Sequence, residues 1–148
     1  MVLAIRRFRW QNFVVVQCLL ALLGGCGPDV PKCIPVSGKV TFEGGKPPGP
    51  GFIYFNTDSQ GGGSTRPGTA EFDADGNYTA KSFIPGDGLL PGKYVLRVDC
   101  WKTPPNMDGK PVESFISNKY QDAAKSGLTL TVEPDAKAVT YDIALTSK

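Results

Sequence analysis

Apolar and polar residues alternate with a period of two along most of the chain after residue 35. The clearest case is residues 93–101, where every second side chain from Tyr94 to Cys100 is apolar. This alternation is typical of β-strands that bury one face. The pattern predicts seven strands, at residues 36–42, 51–56, 69–72, 77–83, 93–101, 128–133 and 138–145.

The segments between these strands have the composition of turns. An Asp75-Gly76 pair separates two of the predicted strands, which favours a hairpin there. The 148-residue chain contains 18 Gly and 13 Pro, a content that argues against a helical bundle. Residues 118–127 are predicted to hold one short helical turn, and Val112, Phe115 and Ile116 are predicted to add either a partial strand or a turn of helix. These observations predict an all-β fold, a single seven-stranded antiparallel β-sandwich over residues 36–148.

The first 25 residues have a different pattern. Three arginines between residues 6 and 9 precede an apolar run at residues 13–23. This arrangement is typical of a secretory signal peptide, and the run is shorter than the roughly 20 residues that span a bilayer. It ends in Leu23-Gly24-Gly25-Cys26, which resembles the lipobox of bacterial lipoproteins.

The lipobox resemblance implies a lipid-anchored protein. In that family the signal peptide, here residues 1–25, is removed, and the cysteine, here Cys26, receives a diacylglycerol and usually a further acyl chain such as palmitate. Residues 26–35, which are rich in proline, would then form a tether. The expected location is the cell membrane or outer membrane, reached through the lipid. An ordinary signal peptide followed by an incidental cysteine is the alternative.

Charge and composition narrow the function classes. Residues 1–25 contain three arginines and no acidic residue, so the rest of the chain has 13 basic and 14 acidic side chains. No basic stripe remains, and nucleic acid is not an expected partner. The chain has no His, which excludes Ser-His-Asp and Cys-His catalysis and a His-ligated metal. We therefore predict no enzymatic activity, no catalytic residue, no metal and no cofactor.

One acidic segment has spacing that invites a metal interpretation. Asp73, Asp75 and Asn77 alternate as oxygen ligands do at the start of a calcium loop. The later positions of such a loop are missing, since Gly76 falls fourth and Ile84 falls twelfth. A hairpin turn with aspartate side chains bound to nearby amides is favoured instead.

Two cysteines follow Cys26, namely Cys33 and Cys100. Exported proteins meet oxidising conditions, so we predict a disulfide between these two residues. Its loop of about 67 residues would stabilise the fold by roughly 4 kcal/mol. Two free buried thiols are the alternative.

The aromatic residues suggest one candidate for ligand contact. Trp101 falls on the more polar face of its predicted strand, which it shares with Arg97 and Asp99. Tyr54 and Tyr78 are expected in the core. Because aromatic rings stack on the faces of sugars, a glycan is a candidate ligand at Trp101.

Several short motifs occur in the order found in a known domain family. Residues 68–78 resemble the T-D-x-D-G-x-[YF] hairpin of carboxypeptidase regulatory-like domains, and residues 36–47 resemble their first strand and turn. Their order behind a lipobox is similar to small lipoproteins of planctomycete-type bacteria. The resemblance covers about residues 36–145 and implies a transthyretin-like (prealbumin-like) sandwich without enzymatic activity. The motifs shared with those lipoproteins are Pro85–Gly88, Pro91–Tyr94, Lys119-Tyr120 and Ser126–Val132.

These observations together predict a non-catalytic module held at the cell envelope by its lipid. Its role would be structural, adhesive or in protein interaction, with an envelope protein or a glycan as partner. The alternative is a carbohydrate-binding module on the same anchor, with Trp101 in its binding site.

Overall fold

The computed structural model of the chain describes residues 31–58 and 66–147. The described residues contain ten strands and two short helical segments. The 3-10 helix is Asn118–Gln121, and helix α1 is Ala123–Ser126. The strands are β1 Val36–Phe42, β2 Gly51–Thr57, β3 Gly68–Phe72, β4 Asn77–Thr79, β5 Gly92–Asp99, β6 Trp101–Thr103, β7 Glu113–Ser114, β8 Thr129–Val132, β9 Val139–Thr140 and β10 Ile143–Leu145.

Eight of these strands form one curled sheet. Their order is β10-β1-β4-β3-β2-β5-β8, and β9 also pairs with β1. Strands β6 and β7 pair with each other in a separate ribbon. The all-β prediction is therefore confirmed, and so is the short helical turn predicted within residues 118–127.

The predicted antiparallel arrangement of seven strands differs from the pairing in the structure. Strand β1 pairs in parallel with both β9 and β10, whereas the other pairs within the sheet are antiparallel. The reason is the path of the chain: β8 ends beside the start of β5, and residues 133–138 then return the chain to the start of β1. The last strands therefore run in the same direction as the first.

The inner face of the sheet forms a single core. The strand predicted at residues 93–101 is confirmed from Lys93 to Asp99, where β5 ends, and the predicted inward-facing residues Tyr94, Leu96, Val98 and Cys100 are all buried. Gly38 lets the end of the chain approach β1, since a Cβ atom there would lie 2.0 Å from the carbonyl oxygen of Tyr141. The fully buried large side chains are Tyr94, Phe55, Phe72, Ile53, Leu89, Leu96, Ile143, Leu145, Val36, Val40, Val98 and Val132.

The segment between β7 and β8 lies between the two edges of the sheet. On the β10 side, the Ser117 amide donates to the Thr146 carbonyl, and the Tyr120 hydroxyl is 3.2 Å from Thr146 Oγ1. On the β5 side, the 3-10 helix and α1 pack against that strand. Tyr120 is buried in the common core, so this segment helps to close the curled sheet.

The sheet has two ends that differ in what they carry. The Cys33 end holds Cys33, the start of β5 at Gly92 and the loop at residues 80–91, where Ile34 pairs with Leu89. Ile34 is buried, so the ordered contacts begin before residue 36, within the predicted tether. The opposite end, hereafter the hairpin end, holds the end of β5 and the β6–β7 ribbon.

Candidate functional site

The residues that the sequence predicted as sites are spread over the molecule. Cys26 and the predicted signal peptide lie outside the described residues. Cys33 is at the Cys33 end, whereas Cys100 directly follows β5 at the hairpin end. Trp101 is the first residue of β6 and is half-buried.

The predicted disulfide between Cys33 and Cys100 is not formed in the structure, where both cysteines are free. The Cys33 thiol donates to the Asp87 carboxylate at 3.7 Å, and the Cys100 thiol faces the Gly49 carbonyl oxygen at 3.6 Å. Burial raises the pKa of both thiols.

Their separation follows from strand geometry. Cys33 precedes Ile34, which pairs with Leu89, and the Tyr94 hydroxyl donates to the Leu90 carbonyl at 2.8 Å, so Cys33 lies at the same end of the sheet as Tyr94. Cys100 is six residues further along the chain, which corresponds to about 20 Å of extended strand. A disulfide needs Cα atoms within about 7 Å, and the sequence contains no signal that reveals this distance.

An aromatic and charged cluster occupies the outer face of β2 and β5. The rings of Phe52 and Tyr54 have centroids 6.5 Å apart, and the Arg97 guanidinium lies 4.2 Å from the centre of the Tyr54 ring. The same guanidinium is 3.6 Å from the Asp99 carboxylate. Tyr54 therefore lies outside the core, contrary to the prediction, whereas Tyr78 is buried as predicted.

Asp99 is the charged residue most deeply set in this cluster. Burial raises the pKa of its carboxyl above the ordinary value, and Arg97 opposes that shift. The Nε atom of Arg97 is buried without a hydrogen bond within the part of the chain that the structure describes. The cluster offers an exposed ring, Phe52 at 43% exposure, beside a carboxylate, which is chemistry for binding a polar molecule with an apolar face.

The β6–β7 ribbon extends from the hairpin end. Lys102 Nζ is 2.8 Å from a Glu113 carboxylate oxygen across the ribbon. Its connecting loop, residues 104–112, is exposed throughout, and the Asn106 side chain accepts hydrogen bonds from the Asp108 and Lys110 amides. Met107 at the tip is fully exposed.

The loop at residues 82–88, hereafter the Asp87 loop, lies at the Cys33 end. Hydrogen bonds to the Asp87 side chain fix its conformation. The Asp87 carboxylate accepts hydrogen bonds from the backbone amides of Ser82, Phe83 and Ile84, at 2.8, 2.9 and 3.2 Å. Burial opposes ionisation of Asp87, but these three donors together hold its pKa below the ordinary value. Phe83 and Ile84 remain exposed on this loop.

Sequence reasoning missed two features of these surfaces. Residues 52–55 are all apolar, so no alternation of apolar and polar residues shows which of these side chains face outward. The position of Tyr54 on the outer face could not be predicted from this run. The role of Asp87 in its loop has a signal in the sequence, because an aspartate between two glycines commonly binds nearby amides.

The acidic hairpin fits the turn interpretation. Asp73 accepts hydrogen bonds from the amides of Asp75 and Asn77, at 2.9 and 2.8 Å, through one carboxylate oxygen. Within residues 31–58 and 66–147, no group of three or more His, Cys, Asp and Glu side chains is placed to hold a metal ion. Over the same ranges, no helix is long and apolar enough to cross a membrane.

No family model, curated protein or solved structure matches the chain. We therefore infer function from the surfaces described above.

Proposed function

We propose that the protein is a non-catalytic lipoprotein, a β-sheet module that a lipid on Cys26 holds at the cell envelope. Its role is structural, adhesive or in protein interaction, and its partner is an envelope protein. The location is a cell membrane or outer membrane to which the chain is exported. We also infer that the curled sheet is a variant of the prealbumin-like sandwich, because the inner faces of all its long strands share one core.

The observation that carries this proposal is the position of the chain's first contacts. Ile34 pairs with Leu89, so the segment that leads from Cys26 enters the domain at the Cys33 end. The β6–β7 ribbon extends from the opposite end, with a loop that is exposed throughout. Attachment at one end and presentation at the other is the layout that an anchored interaction module requires.

Lipid labelling of the full chain tests the anchor. We expect Cys26→Ser to abolish incorporation of a labelled fatty acid and to leave the signal peptide uncleaved. Cys18→Ser is the matched control, since Cys18 lies inside the apolar run. Normal cleavage of the Cys26→Ser variant, or loss of label in Cys18→Ser, would overturn the anchor at Cys26.

Site-specific photo-crosslinking in intact cells tests the interaction role. A crosslinking residue at position 107 should yield one defined adduct with an envelope protein. The same group at position 39, an exposed site on β1, is the control. Equal adducts from both positions would contradict a partner site on the ribbon.

A carbohydrate-binding module is the second candidate, favoured by the cluster on β2 and β5. Phe52 offers an exposed ring near Asp99, whereas Arg97 already covers Tyr54. Titration with envelope glycans should then quench Trp101 fluorescence in the wild type and fail to do so in Phe52→Ser. No quenching by any envelope glycan would remove this candidate.

A further inference from the structure

We propose that the Cys33 end is a membrane-contacting surface, on which Phe83 and Ile84 of the Asp87 loop enter the interfacial layer of the bilayer beside Arg66 and Lys81. The inference rests on the proposed lipid at Cys26 and goes beyond it. It assigns the occupant of this end as a phospholipid surface rather than a protein.

Chain length restricts which end can face the bilayer. Cys33 is the seventh residue after Cys26, and an extended chain covers at most about 25 Å over that length. Cys33 is itself fixed to the Asp87 loop by the contact of its thiol with Asp87. An acyl chain on Cys26 therefore keeps this loop close to the lipid headgroups.

The exposed apolar side chains of the loop are held in place by the hydrogen bonds to Asp87. Its carboxylate binds the amides of both Phe83 and Ile84, which fixes the backbone of the loop. Phe83 is 37% exposed and Ile84 is 62% exposed. Apolar side chains of this kind bind at the boundary between headgroups and acyl chains.

Cationic groups stand next to these residues. The Arg66 guanidinium lies 4.6 Å from the centre of the Phe83 ring, and its Nε donates to the Ser82 carbonyl at 3.0 Å. Lys81 contributes a second cation and has Glu71 at 3.8 Å. Arg66 and Lys81 line a groove of about 680 Å³ with Phe83, Ile84 and Pro85, a combination suited to a lipid phosphate above apolar chains.

The contact is predominantly apolar, because the charges of the whole end nearly balance. This end carries three further basic and three acidic side chains, namely Lys32, Lys93 and Lys137 with Asp58, Glu133 and Asp135. We therefore expect binding that depends on Phe83 and Ile84 more than on anionic lipid.

The hairpin end also exposes apolar residues, Met107 and Val112, but lies away from the tether. Strand β5 has eight residues between the two ends, which corresponds to about 26 Å. These two residues, at 105% and 50% exposure, therefore provide a control pair that is no less exposed than Phe83 and Ile84 taken together.

Depth measurement on the full, natively lipidated chain tests the proposal. Trp10→Phe with Trp101→Phe provides a background without tryptophan, into which either Ile84→Trp or Met107→Trp is introduced. Each protein is reconstituted into vesicles of phosphatidylethanolamine and phosphatidylglycerol that contain phosphatidylcholine brominated near the headgroup end of its chains. We expect the tryptophan of Ile84→Trp to be quenched several-fold more strongly than that of Met107→Trp.

Flotation of the same vesicles separates failure of this inference from failure of the anchor. Protein that floats with equal quenching at the two positions retains the anchor and overturns the membrane-contacting surface. Protein that does not float, and whose mass shows no acyl chain, overturns both. A second comparison uses Phe83→Ser with Ile84→Ser, which should raise the rate of transfer between vesicles by about tenfold or more, whereas Met107→Ser with Val112→Ser leaves it unchanged.

Discussion

The two ends of the sheet expose apolar side chains in different structural settings. At the Cys33 end, Phe83 and Ile84 project from a loop that is fixed by three amides on Asp87 and that adjoins the buried Leu89. At the hairpin end, Met107 belongs to a two-stranded ribbon outside the main sheet. The core therefore positions the apolar surface at the Cys33 end. Ribbons of two strands are marginally stable by themselves, so local contacts position the apolar surface at the hairpin end.

This difference suits the two ends to the distinct roles proposed for them. A surface that is fixed relative to the core can hold the domain at a defined orientation on a membrane. An extended ribbon far from the tether can instead adapt to a partner. Substitutions at matched positions of the two ends test whether they differ in this way.

The largest difference is expected from alanine at two glycines with positive φ. A Cβ atom on Gly88, at φ 93, would lie 2.0 Å from the Ile34 carbonyl oxygen, whereas one on Gly109, at φ 70, meets nothing within 4 Å. Gly88→Ala should lower the free energy of unfolding by roughly 3 kcal/mol or more, and Gly109→Ala by about 1 kcal/mol.

Chemical denaturation of the two variants measures this difference. If Gly88→Ala fails to fold, Gly86→Ala in the same loop provides the reference, since a Cβ atom there meets nothing within 4 Å. Equal decreases in the free energy of unfolding for Gly88→Ala and Gly109→Ala would contradict the close packing of the Cys33 end.

Asp87 should contribute more to stability than Asp108, a carboxylate in the loop of the ribbon. Asp87→Ala removes the acceptor of three backbone amides, so it should lower the free energy of unfolding by about 1–3 kcal/mol. Asp108→Ala, in the loop of the ribbon, loses a solvent-exposed ion pair with Lys110 and should leave stability nearly unchanged. Thermal unfolding of both variants makes the comparison, and similar shifts would argue against the fixed loop.

The pH dependence of stability provides an independent test of Asp87. Its pKa is lower in the folded chain, so its contribution is present above the unfolded value of about 3.9 and is lost as pH falls through the folded value. Asp87→Asn should therefore differ most from the wild type near neutral pH and least in acid. A difference that is constant over this range would contradict the assignment.

The two cysteines should behave as independent sites. Cys100 is fully buried, so Cys100→Ala should cost about 1–2 kcal/mol, whereas Cys33→Ala removes one weak thiol contact at 3.7 Å and should cost less. Because the residues lie at opposite ends, the double variant should equal the sum within about 0.5 kcal/mol. Strong non-additivity, or a lower melting temperature after reduction of the wild type, would show that the thiols are linked.

The smallest effect is expected at the ribbon. Glu113→Gln removes the exposed ion pair with Lys102 and should leave the melting temperature unchanged. It should still accelerate amide hydrogen exchange in β6 and β7 relative to β5, because the ribbon lies outside the main sheet. Slower or unchanged exchange in the ribbon would contradict its local stabilisation.

Much of the strand pattern could be predicted from the sequence, because alternation reports which side chains face inward. The prediction of a continuous strand failed at Cys100, where the apolar alternation continues but the chain leaves β5. The Ser114 hydroxyl and the Phe115 amide bind the Cys100 carbonyl at that point, and neither contact has a local signature.

Strand partners could not be predicted by the same reasoning. Alternation in residues 138–145 indicates a strand without indicating its direction relative to β1, so the parallel pairing was missed. The disulfide prediction failed for a related reason, since two cysteines in a sequence carry no information about their distance. Among the candidate site residues, the position of Trp101 at the base of the ribbon likewise depends on tertiary contacts.

The decisive measurement is the intact mass of the protein that cells produce from the full-length precursor. We expect a mass for residues 26–148 with acyl chains on Cys26, two thiols that react with an alkylating reagent after unfolding, and no change of mass on reduction. An unacylated chain would contradict the anchor, and a gain of two hydrogens on reduction would contradict the separation of Cys33 and Cys100 at the two ends of the sheet.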